Sequence, residues 1–504
     1  MLLVALLALL AIGTGLWRLT AATAGLEVSG QRLGDIPMTV YRPGAGRPAP
    51  VVVIAHGFAG SQQLMQPYAV ALARNGYVAV TFDFPGHGRN AARFVARIED
   101  QERRVRVLLG ALESVVDFAP TLPGSDGRLA LLGHSMAGDV LTRLAAARRD
   151  RVAATVLLSP YLAADAPTRG PRNLLILFGA LEPEMLRQTG LEAIAAATGE
   201  PAETGVTYGH PSQGSARRLE LVPGVEHIGV LFAQGGIRAA LAWLGQTFDR
   251  SEEGVIAGRG GSLALLYLGL LALAWPLSRL LPRAATETLG AGLPWRRLLP
   301  VALWPAILTP LILRLLPSDY LPILLGDYLA LHFGVYGLLT AVGLWRVAGS
   351  GAFEGPGRTL WVGLLLASLA VMAYLVLAIA VPTDHFVTAF MPTSERLWLL
   401  LGIVPGTWAY FAADSWASRG PGAPRAGPAA TKALFLLSLL GAVALNLREL
   451  FFLVIIVPAI LLFFLLDGLI GGWVYRRTWH PLPGALGMGL LFAWAITVTF
   501  PVVR

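Results

Sequence analysis

The sequence predicts two fold classes in one chain: an α/β domain with a doubly wound, mostly parallel sheet, and an all-α polytopic transmembrane domain. Three observations lead to this prediction. Short β-branched runs alternate with helical patterns between residues 26 and 250. Long apolar segments then follow one another from residue 262 onward. Hydrophobic residues make up 55% of the chain and charged residues only 14%, which is not the composition of a soluble protein.

The composition also excludes several classes of site. The formal net charge of +8 is not concentrated in a basic run with interleaved aromatic residues, so we expect no nucleic-acid partner. The chain has no cysteine, which excludes disulfides, thiolate metal sites and a cysteine nucleophile. No cluster of carboxylates and histidines has the spacing of zinc ligands. We therefore expect neither a metal nor a cofactor.

Residues 1–25 contain an apolar run at 2–17 with no charge before Arg18. This run is either a transmembrane anchor or a signal segment. The sequence Ala22-Thr23-Ala24 resembles a cleavage site, but a basic region before the run is missing, which favours the anchor. In both cases the domain that follows is expected to be exported.

The α/β domain is predicted to occupy residues 26–250. Strands alternate with helices, which indicates parallel pairing and right-handed crossovers. Helices are predicted at Gln62–Asn75, from about Asp100 to Phe118, and at Ala137–Arg149. Strands are predicted at about Leu26–Ser29, Met38–Arg42, Pro50–His56, Tyr77–Asp83, Arg128–Leu132, Ala154–Ser159, Asn173–Phe178 and Arg217–Val222.

A Gly-rich linker at 251–261 separates this domain from a transmembrane domain at 262–504 with about eight helices. Each apolar segment is near the ~20 residues that a helix needs to cross a bilayer. The segments lie at about 262–280, 299–316, 321–345, 359–381, 397–414, 431–447, 450–470 and 484–502.

The distribution of basic residues predicts the orientation in the membrane, because cytoplasmic loops carry an excess of Lys and Arg. If the α/β domain lies outside the cytoplasm, the outer turns and tail contain only Arg396, Arg448 and Arg504, with Arg314 just inside a span. The inner loops then contain Arg279, Arg283, Arg296, Arg297, Arg346, Arg358, Arg419, Arg425, Lys432, Arg476 and Arg477. We therefore predict an integral membrane protein of a bacterial inner membrane with a periplasmic α/β domain.

The stretch Leu129–Asp139 is the centre of the predicted chemistry. A buried strand breaks at Gly133, turns through Ser135 and continues as a helix, which is the pattern of a nucleophile elbow. Ala137 stands where the usual G-x-S-x-G pattern has its second glycine.

A serine needs a general base, and the base needs a group that orients it. Glu182 follows a strand at its carboxyl end, and His227 lies on a loop after the last strand. The three residues occur in the order nucleophile, acid, histidine. In this interpretation Ser135 attacks, His227 transfers its proton and Glu182 holds the imidazole. Glu184 is the alternative acid.

Two backbone N–H groups are candidates for the oxyanion hole: Phe58, after the first long strand, and Met136, at the start of the elbow helix. Gly57 permits the close turn beside them. The polar residues nearby are expected to support these loops rather than to react; they are His56, Asp83, His87 and His134.

Together these motifs resemble the α/β-hydrolase superfamily, in its dienelactone-hydrolase and esterase-like branch. The resemblance covers about residues 26–250 and implies the α/β-hydrolase fold and a serine hydrolase. It also implies a triad of Ser135, His227 and Glu182, with Phe58 and Met136 as the oxyanion hole. The transmembrane part resembles no family known to us. The motifs are His56-Gly-Phe58, Asp83-Phe-Pro-Gly-His-Gly88, Gly133-His-Ser-Met-Ala-Gly138, Gly179-Ala-Leu-Glu182-Pro and Glu226-His227.

The resulting hypothesis is a membrane-anchored hydrolase of ester or thioester bonds in lipid-like or membrane-presented substrates. Its partners would be an acyl-ester substrate and membrane lipids. The helix Met185–Thr198 and the outer segment Pro382–Arg396 are expected to cover the two sides of the site. An acyltransferase that uses the same acyl-enzyme is one alternative, and a transport or scaffold protein with a non-catalytic domain is another.

Charged groups within spans are costly and usually have a function. Asp327 and His332 are five residues apart and do not share a helix face. Asp414 and Asp467 lie near the inner ends of their spans, where helix packing or solvation explains them.

Overall fold

The computed structural model describes residues 1–44, 47–95, 100–250, 256–349 and 357–503. Residues 251–255 of the predicted linker and Arg504 lie outside the described residues. The remainder of that linker is short, because a helix already begins at Arg259.

A nine-stranded sheet in the order β1-β2-β4-β3-β5-β6-β7-β9-β8 forms the centre of the α/β domain. The six strands from β4 to β9 in this order are parallel, and β1, β2 and β8 are antiparallel to their neighbours. The strands are β1 Leu26–Leu33, β2 Ile36–Pro43, β3 Ala49–Ala55, β4 Val78–Phe82, β5 Ser125–His134, β6 Val152–Leu158, β7 Leu174–Gly179, β8 Thr207–Tyr208 and β9 Arg217–Val222. The predicted mostly parallel sheet is confirmed.

Four predicted strands, β1, β2, β5 and β6, are longer in the structure, and one strand was not predicted. The pairing between β1 and β2 continues up to the two-residue turn of their hairpin, where Leu33 pairs with Ile36. Strand β8 has only two residues, both on an edge, and such a short run has no hydrophobic alternation to reveal it.

Helices cover both faces of the sheet. On one face lie α2 (Gln66–Arg74) and α6 (Gln234–Phe248), and on the other lie α3 (Gln101–Phe118) and α4 (Ala137–Ala147). A further helix, α5 (Glu184–Thr198), packs against the same side as α3 and α4 through Ile194. All seven residues of β3 are buried, as expected for a strand covered on both faces.

Nine helices in the described residues are long and apolar enough to cross a membrane, judged by length and composition. One is at the N-terminus, and the other eight match the eight predicted segments. They are α1 Leu2–Ala21, α7 Arg259–Ser278, α8 Trp295–Leu315, α9 Gly326–Ala348, α10 Trp361–Phe386, α11 Ser394–Ser418, α12 Gly427–Leu445, α13 Leu453–Thr478 and α14 Leu482–Thr499.

Glycines bring α1 and α7 into close contact. A Cβ added at Gly15 would lie 2.9 Å from the backbone nitrogen of Leu266, and one added at Gly269 would lie 2.9 Å from the carbonyl oxygen of Ala8. Small residues at such crossings let two helix backbones approach closely within a bilayer. The N-terminal helix is therefore packed into the helical domain.

The loops of the helical domain are divided between its two ends. At one end, Leu289 donates its N–H to the carbonyl of Trp479, and Gly292 donates to that of Arg419. At the other end, Phe94 of the α/β domain donates to the carbonyl of Val502. The α/β domain thus rests on the end opposite the Arg-rich loops.

Two basic residues assigned to loops are instead buried in helices. Lys432, predicted for an inner loop, lies within α12 and is 5% exposed. Its ammonium is 2.7 Å from Asp414 and 2.8 Å from Asp467, so three helices meet at this charge. Arg396, predicted for an outer turn, lies in the first turn of α11 and is 3% exposed. Both carry polar contacts that compensate their burial.

Candidate functional site

Ser135 occupies a sharp turn between β5 and α4. Its φ is +51°, a left-handed conformation that is unusual for a residue with a side chain. The turn is held by hydrogen bonds from the N–H of Ser135 to the carbonyl of Leu158 and from the N–H of Gly138 to the carbonyl of Ser135, both 2.9 Å. The serine thus projects from the end of the sheet.

Ala137 fits in place of the usual glycine because the residue opposite it is small. A Cβ added at Gly133 would lie 3.0 Å from the Cβ of Ala137 and 2.7 Å from a side-chain carbon of Leu141. Gly133 therefore provides the space that the methyl group of Ala137 fills.

His227 connects the serine to a carboxylate. Its Nε2 lies 3.0 Å from Oγ of Ser135, and its Nδ1 lies 2.8 Å from Oε2 of Glu182. Glu182 is 3% exposed and comes from the turn after β7, whereas His227 comes from the loop after β9. The structure therefore brings together three predicted residues that are distant in sequence. Glu184, the alternative acid, is exposed at the first position of α5.

Ser159 was not predicted as part of the site. Its hydroxyl donates to Oε1 of Glu182 at 2.5 Å, and the N–H of Gly179 donates to the same oxygen at 2.8 Å. Ser159 follows β6, is 1% exposed and has a φ of +44°. A serine after a strand is common in sequences and does not by itself indicate a role. The contact of Ser159 with Glu182 arises because β6 and β7 are neighbours in the sheet.

The turn after β3 lies against the elbow. A Cβ added at Gly57 would lie 3.0 Å from the Cβ of Ser135 and 2.8 Å from Nδ1 of His134. Among the hydrogen bonds of the described residues, none has the N–H of Phe58 or of Met136 as its donor. Met136 follows the serine in sequence, and Phe58 follows the glycine that lies against it, so both positions fit the predicted oxyanion hole.

The supporting residues hold these loops through hydrogen bonds. His56 lies 2.7 Å from the carbonyl of Gly57 through Nδ1 and accepts from the N–H of Phe84 through Nε2, at 3.0 Å. Asp83 accepts from the N–H of Gln62 and of Arg89. These contacts require a proton on Nδ1 of His56 only, so this imidazole is neutral.

Burial keeps the other two histidines neutral as well. Desolvation is the main cause that lowers the pKa of His56, and it lowers the pKa of His87 and His134 well below the ordinary value. His134 also lies 3.0 Å from the carbonyl of His227 through Nε2. Their positions fit the expected supporting role.

Four exposed apolar side chains lie in the segments that carry the site residues. Each is next to a segment that carries a site residue: Tyr161 donates its N–H to the carbonyl of Ser135, and Ile228 follows His227. Their exposed fractions range from 37% to 69%, and the set is Tyr161, Leu181, Met185 and Ile228.

Comparison with known proteins supports the fold of this domain. A family model described as "Serine aminopeptidase, S33" matches residues 46–202. "Cutinase 2" from Thermobifida cellulosilytica is 29% identical over 126 residues, which cover 24% of this chain and 44% of that protein. "Cutinase cut1" from Thermobifida fusca is 29% identical over 126 residues, which cover 36% of that protein. The chain thus spans less than half the length of these curated relatives.

A solved structure of a putative dienelactone hydrolase from Klebsiella pneumoniae is 19% identical, with a TM-score of 0.33. The match covers 44% of this chain and 99% of that one.

Proposed function

The chain contains an α/β-hydrolase domain, and we propose that this domain is a serine esterase that cleaves acyl esters or thioesters. The observation that carries the proposal is the continuous hydrogen-bonded arrangement from Ser135 through His227 to Glu182. A hydroxyl is a weak nucleophile at neutral pH, and an adjacent imidazole that is held by a carboxylate activates it. The strained backbone at Ser135 keeps this hydroxyl aimed at the histidine.

The mechanism follows from these positions. Nε2 of His227 accepts the proton of Ser135 as its Oγ attacks the acyl carbon, and Glu182 stabilises the imidazolium through Nδ1–H. The negative charge on the carbonyl oxygen is met by the N–H groups of Phe58 and Met136. His227 then protonates the leaving alcohol or thiol, and a water molecule repeats the sequence on the acyl-enzyme.

The proposed substrates are lipid-like esters. The exposed apolar side chains around Ser135 provide a surface for an acyl chain, since burying apolar area is favourable by about 25 cal/mol per Å². The outer segment 382–396 lies against the loops that follow β3 and β4: Asp384 pairs with Arg89 at 2.7 Å, and Thr388 contacts Ser61 at 2.9 Å. We propose that the acyl chain binds between these apolar side chains and the outer segment.

We further propose that the hydrolase domain lies outside the cytoplasm. The loops at the far end of the helical domain carry most of its arginines, and these loops would face the cytoplasm. In this orientation the N-terminus would lie in the cytoplasm, and we propose that α1 is an uncleaved anchor.

A fluorophosphonate probe tests the proposed chemistry on the full-length protein in detergent. We expect covalent labelling of the wild type and none of Ser135→Ala. Ser114→Ala is the matched control, because Ser114 lies on the exposed side of α3 and its hydroxyl contacts only the carbonyl of Gly110 among described residues. Labelling that persists in Ser135→Ala would refute the esterase and favour a non-catalytic domain.

A series of 4-nitrophenyl esters tests the substrate class. We expect kcat/KM to rise from acetate to esters of longer acyl chains. A preference for acetate would contradict a lipid-like substrate while leaving the esterase intact.

A further inference from the structure

The helical domain contacts the oxyanion loop, which we define as residues 56–62. The ring of Phe452, in the turn before α13, lies 4.8 Å from the ring of Phe58. Ser61 at the other end of the loop lies 2.9 Å from the hydroxyl of Thr388 and accepts from the N–H of Ala389 at 2.8 Å. Both ends of this loop are therefore held by residues outside the hydrolase domain.

A second connection passes through Arg396. Its guanidinium donates to the carbonyl of Gly86 at 2.7 Å and to the carbonyls of Thr497 and Phe500 at 2.6 and 2.9 Å. A buried cation that makes three charge-assisted hydrogen bonds fixes these backbones in one arrangement. The loop of Gly86 is thus fastened to the helical domain.

The loop of Gly86 in turn supports the oxyanion loop. Phe84, two residues before Gly86, donates its N–H to Nε2 of His56, and Nδ1 of His56 contacts the carbonyl of Gly57. The peptide that joins Gly57 to Phe58 carries the proposed oxyanion donor. Arg396 therefore reaches this peptide through three hydrogen bonds, and Phe452 reaches it through one ring contact.

We propose that the helical domain is a positioning element of the esterase site, with Phe452 and Arg396 as positioning residues for the N–H of Phe58. This proposal rests on the esterase proposed above and adds a catalytic reason for the fusion of the two domains. An oxyanion donor acts only at hydrogen-bond distance from the developing charge, and a displacement of 1 Å can cost roughly 100-fold in rate. Loss of either contact should therefore lower kcat even for a soluble substrate that needs no membrane.

The test uses 4-nitrophenyl butyrate and the full-length protein in detergent. Phe452→Ala is compared with Phe451→Ala, its neighbour, which is 47% exposed and whose ring contacts Phe452 rather than Phe58. We expect a fall in kcat of roughly tenfold to 100-fold in Phe452→Ala, with little change in KM or in the unfolding temperature. Phe451→Ala should behave as the wild type.

Arg396→Gln is compared with Arg448→Gln, an exposed arginine at the same end of the helical domain. Arg396→Gln should lower kcat. Arg396→Lys should recover part of the loss, because the ammonium retains the charge and can donate to one or more of the same carbonyls. If Arg396→Gln fails to fold, the comparison of Phe452→Ala with Phe451→Ala tests the proposal by itself. An unchanged kcat in Phe452→Ala, or an equal loss in Phe451→Ala, overturns the proposal.

Amide exchange separates this inference from the esterase itself. Residues 57–61 should exchange faster in Phe452→Ala than in Phe451→Ala, whatever the substrate. Absence of Ser135-dependent hydrolysis in the wild type would refute the esterase, whereas equal exchange in the two variants would refute the positioning role.

Discussion

The hydroxyl of Ser159 donates a hydrogen bond of 2.5 Å to Oε1 of Glu182, while Oε2 of the same carboxylate lies 2.8 Å from Nδ1 of His227. Each carboxylate oxygen of Glu182 therefore has its own hydrogen-bond partner, and Ser159 holds the oxygen that does not contact the histidine. This arrangement gives the acid one position from which to hold the imidazole.

Ser159→Ala should weaken the proposed triad. A hydrogen bond to a charged group contributes about 1.5–3 kcal/mol, so a full loss in the transition state lowers kcat roughly tenfold to 100-fold. We expect this fall for 4-nitrophenyl butyrate, with KM nearly unchanged. An unaltered kcat would show that Gly179 alone orients the carboxylate.

Gly57→Ala should disturb the oxyanion loop. The new Cβ would meet Nδ1 of His134 at 2.8 Å and the Cβ of Ser135 at 3.0 Å, so the turn must move away from the elbow. Loss of one oxyanion donor typically lowers kcat by about 10²–10³. Gly30→Ala in β1 is the control, because a Cβ there meets nothing within 4 Å. Equal rates in the two variants would place the oxyanion hole elsewhere.

Stability should fall at mildly acidic pH. Burial lowers the pKa of His56, His87 and His134 in the folded state, whereas the unfolded chain binds protons near a pKa of 6.5. The stabilising contribution of the neutral forms is therefore complete above pH 6.5 and is lost as the pH falls below it.

Thermal unfolding of the full-length protein between pH 7.5 and 5 measures this effect. The unfolding temperature should decrease as the pH is lowered, and this decrease should be smaller for His134→Asn than for the wild type. His210→Asn is the control, because His210 is exposed. A constant unfolding temperature over this range would contradict the prediction.

Lys432→Met should destabilise the helical domain. The substitution leaves two buried carboxylates, Asp414 and Asp467, without the ammonium between them. Removal of one partner from a buried ion pair costs about 3–5 kcal/mol. We expect a lower unfolding temperature than for Arg425→Met, since Arg425 is exposed in the loop before α12. Replacement of both aspartates by asparagine in the Lys432→Met background should recover part of the loss.

The positions of Ser135, Glu182 and His227 could be predicted because each follows a strand of a parallel sheet. The carboxyl ends of such strands meet at one edge, so the order of these residues along the chain indicates their proximity. The role of Ser159 could not be predicted in this way. It depends on β6 and β7 being neighbours, and nothing local distinguishes it from other serines.

Lys432 and Arg396 were assigned to loops because a charge at the end of an apolar segment is usually read as the end of the span. Each is instead satisfied by groups from other helices, Lys432 by Asp414 and Asp467 and Arg396 by backbone carbonyls. Sequence periodicity describes one helix at a time and carries no information about such partners. The contact between Phe58 and Phe452 could not be predicted from the sequence for the same reason.

The pairing of Phe94 with the segment around Val502 has a consequence for biosynthesis. The N–H of Phe94 donates to the carbonyl of Val502, and the N–H of Val502 donates to the carbonyl of Gly86, so a segment translated late holds a loop translated early. The ribosome finishes the hydrolase domain long before it reaches α14, which is the last helix of the described chain. Until the segment around Val502 is in place, the loop of Gly86 and Phe94 lacks both hydrogen bonds. Full activity should therefore appear only after the last helix has folded.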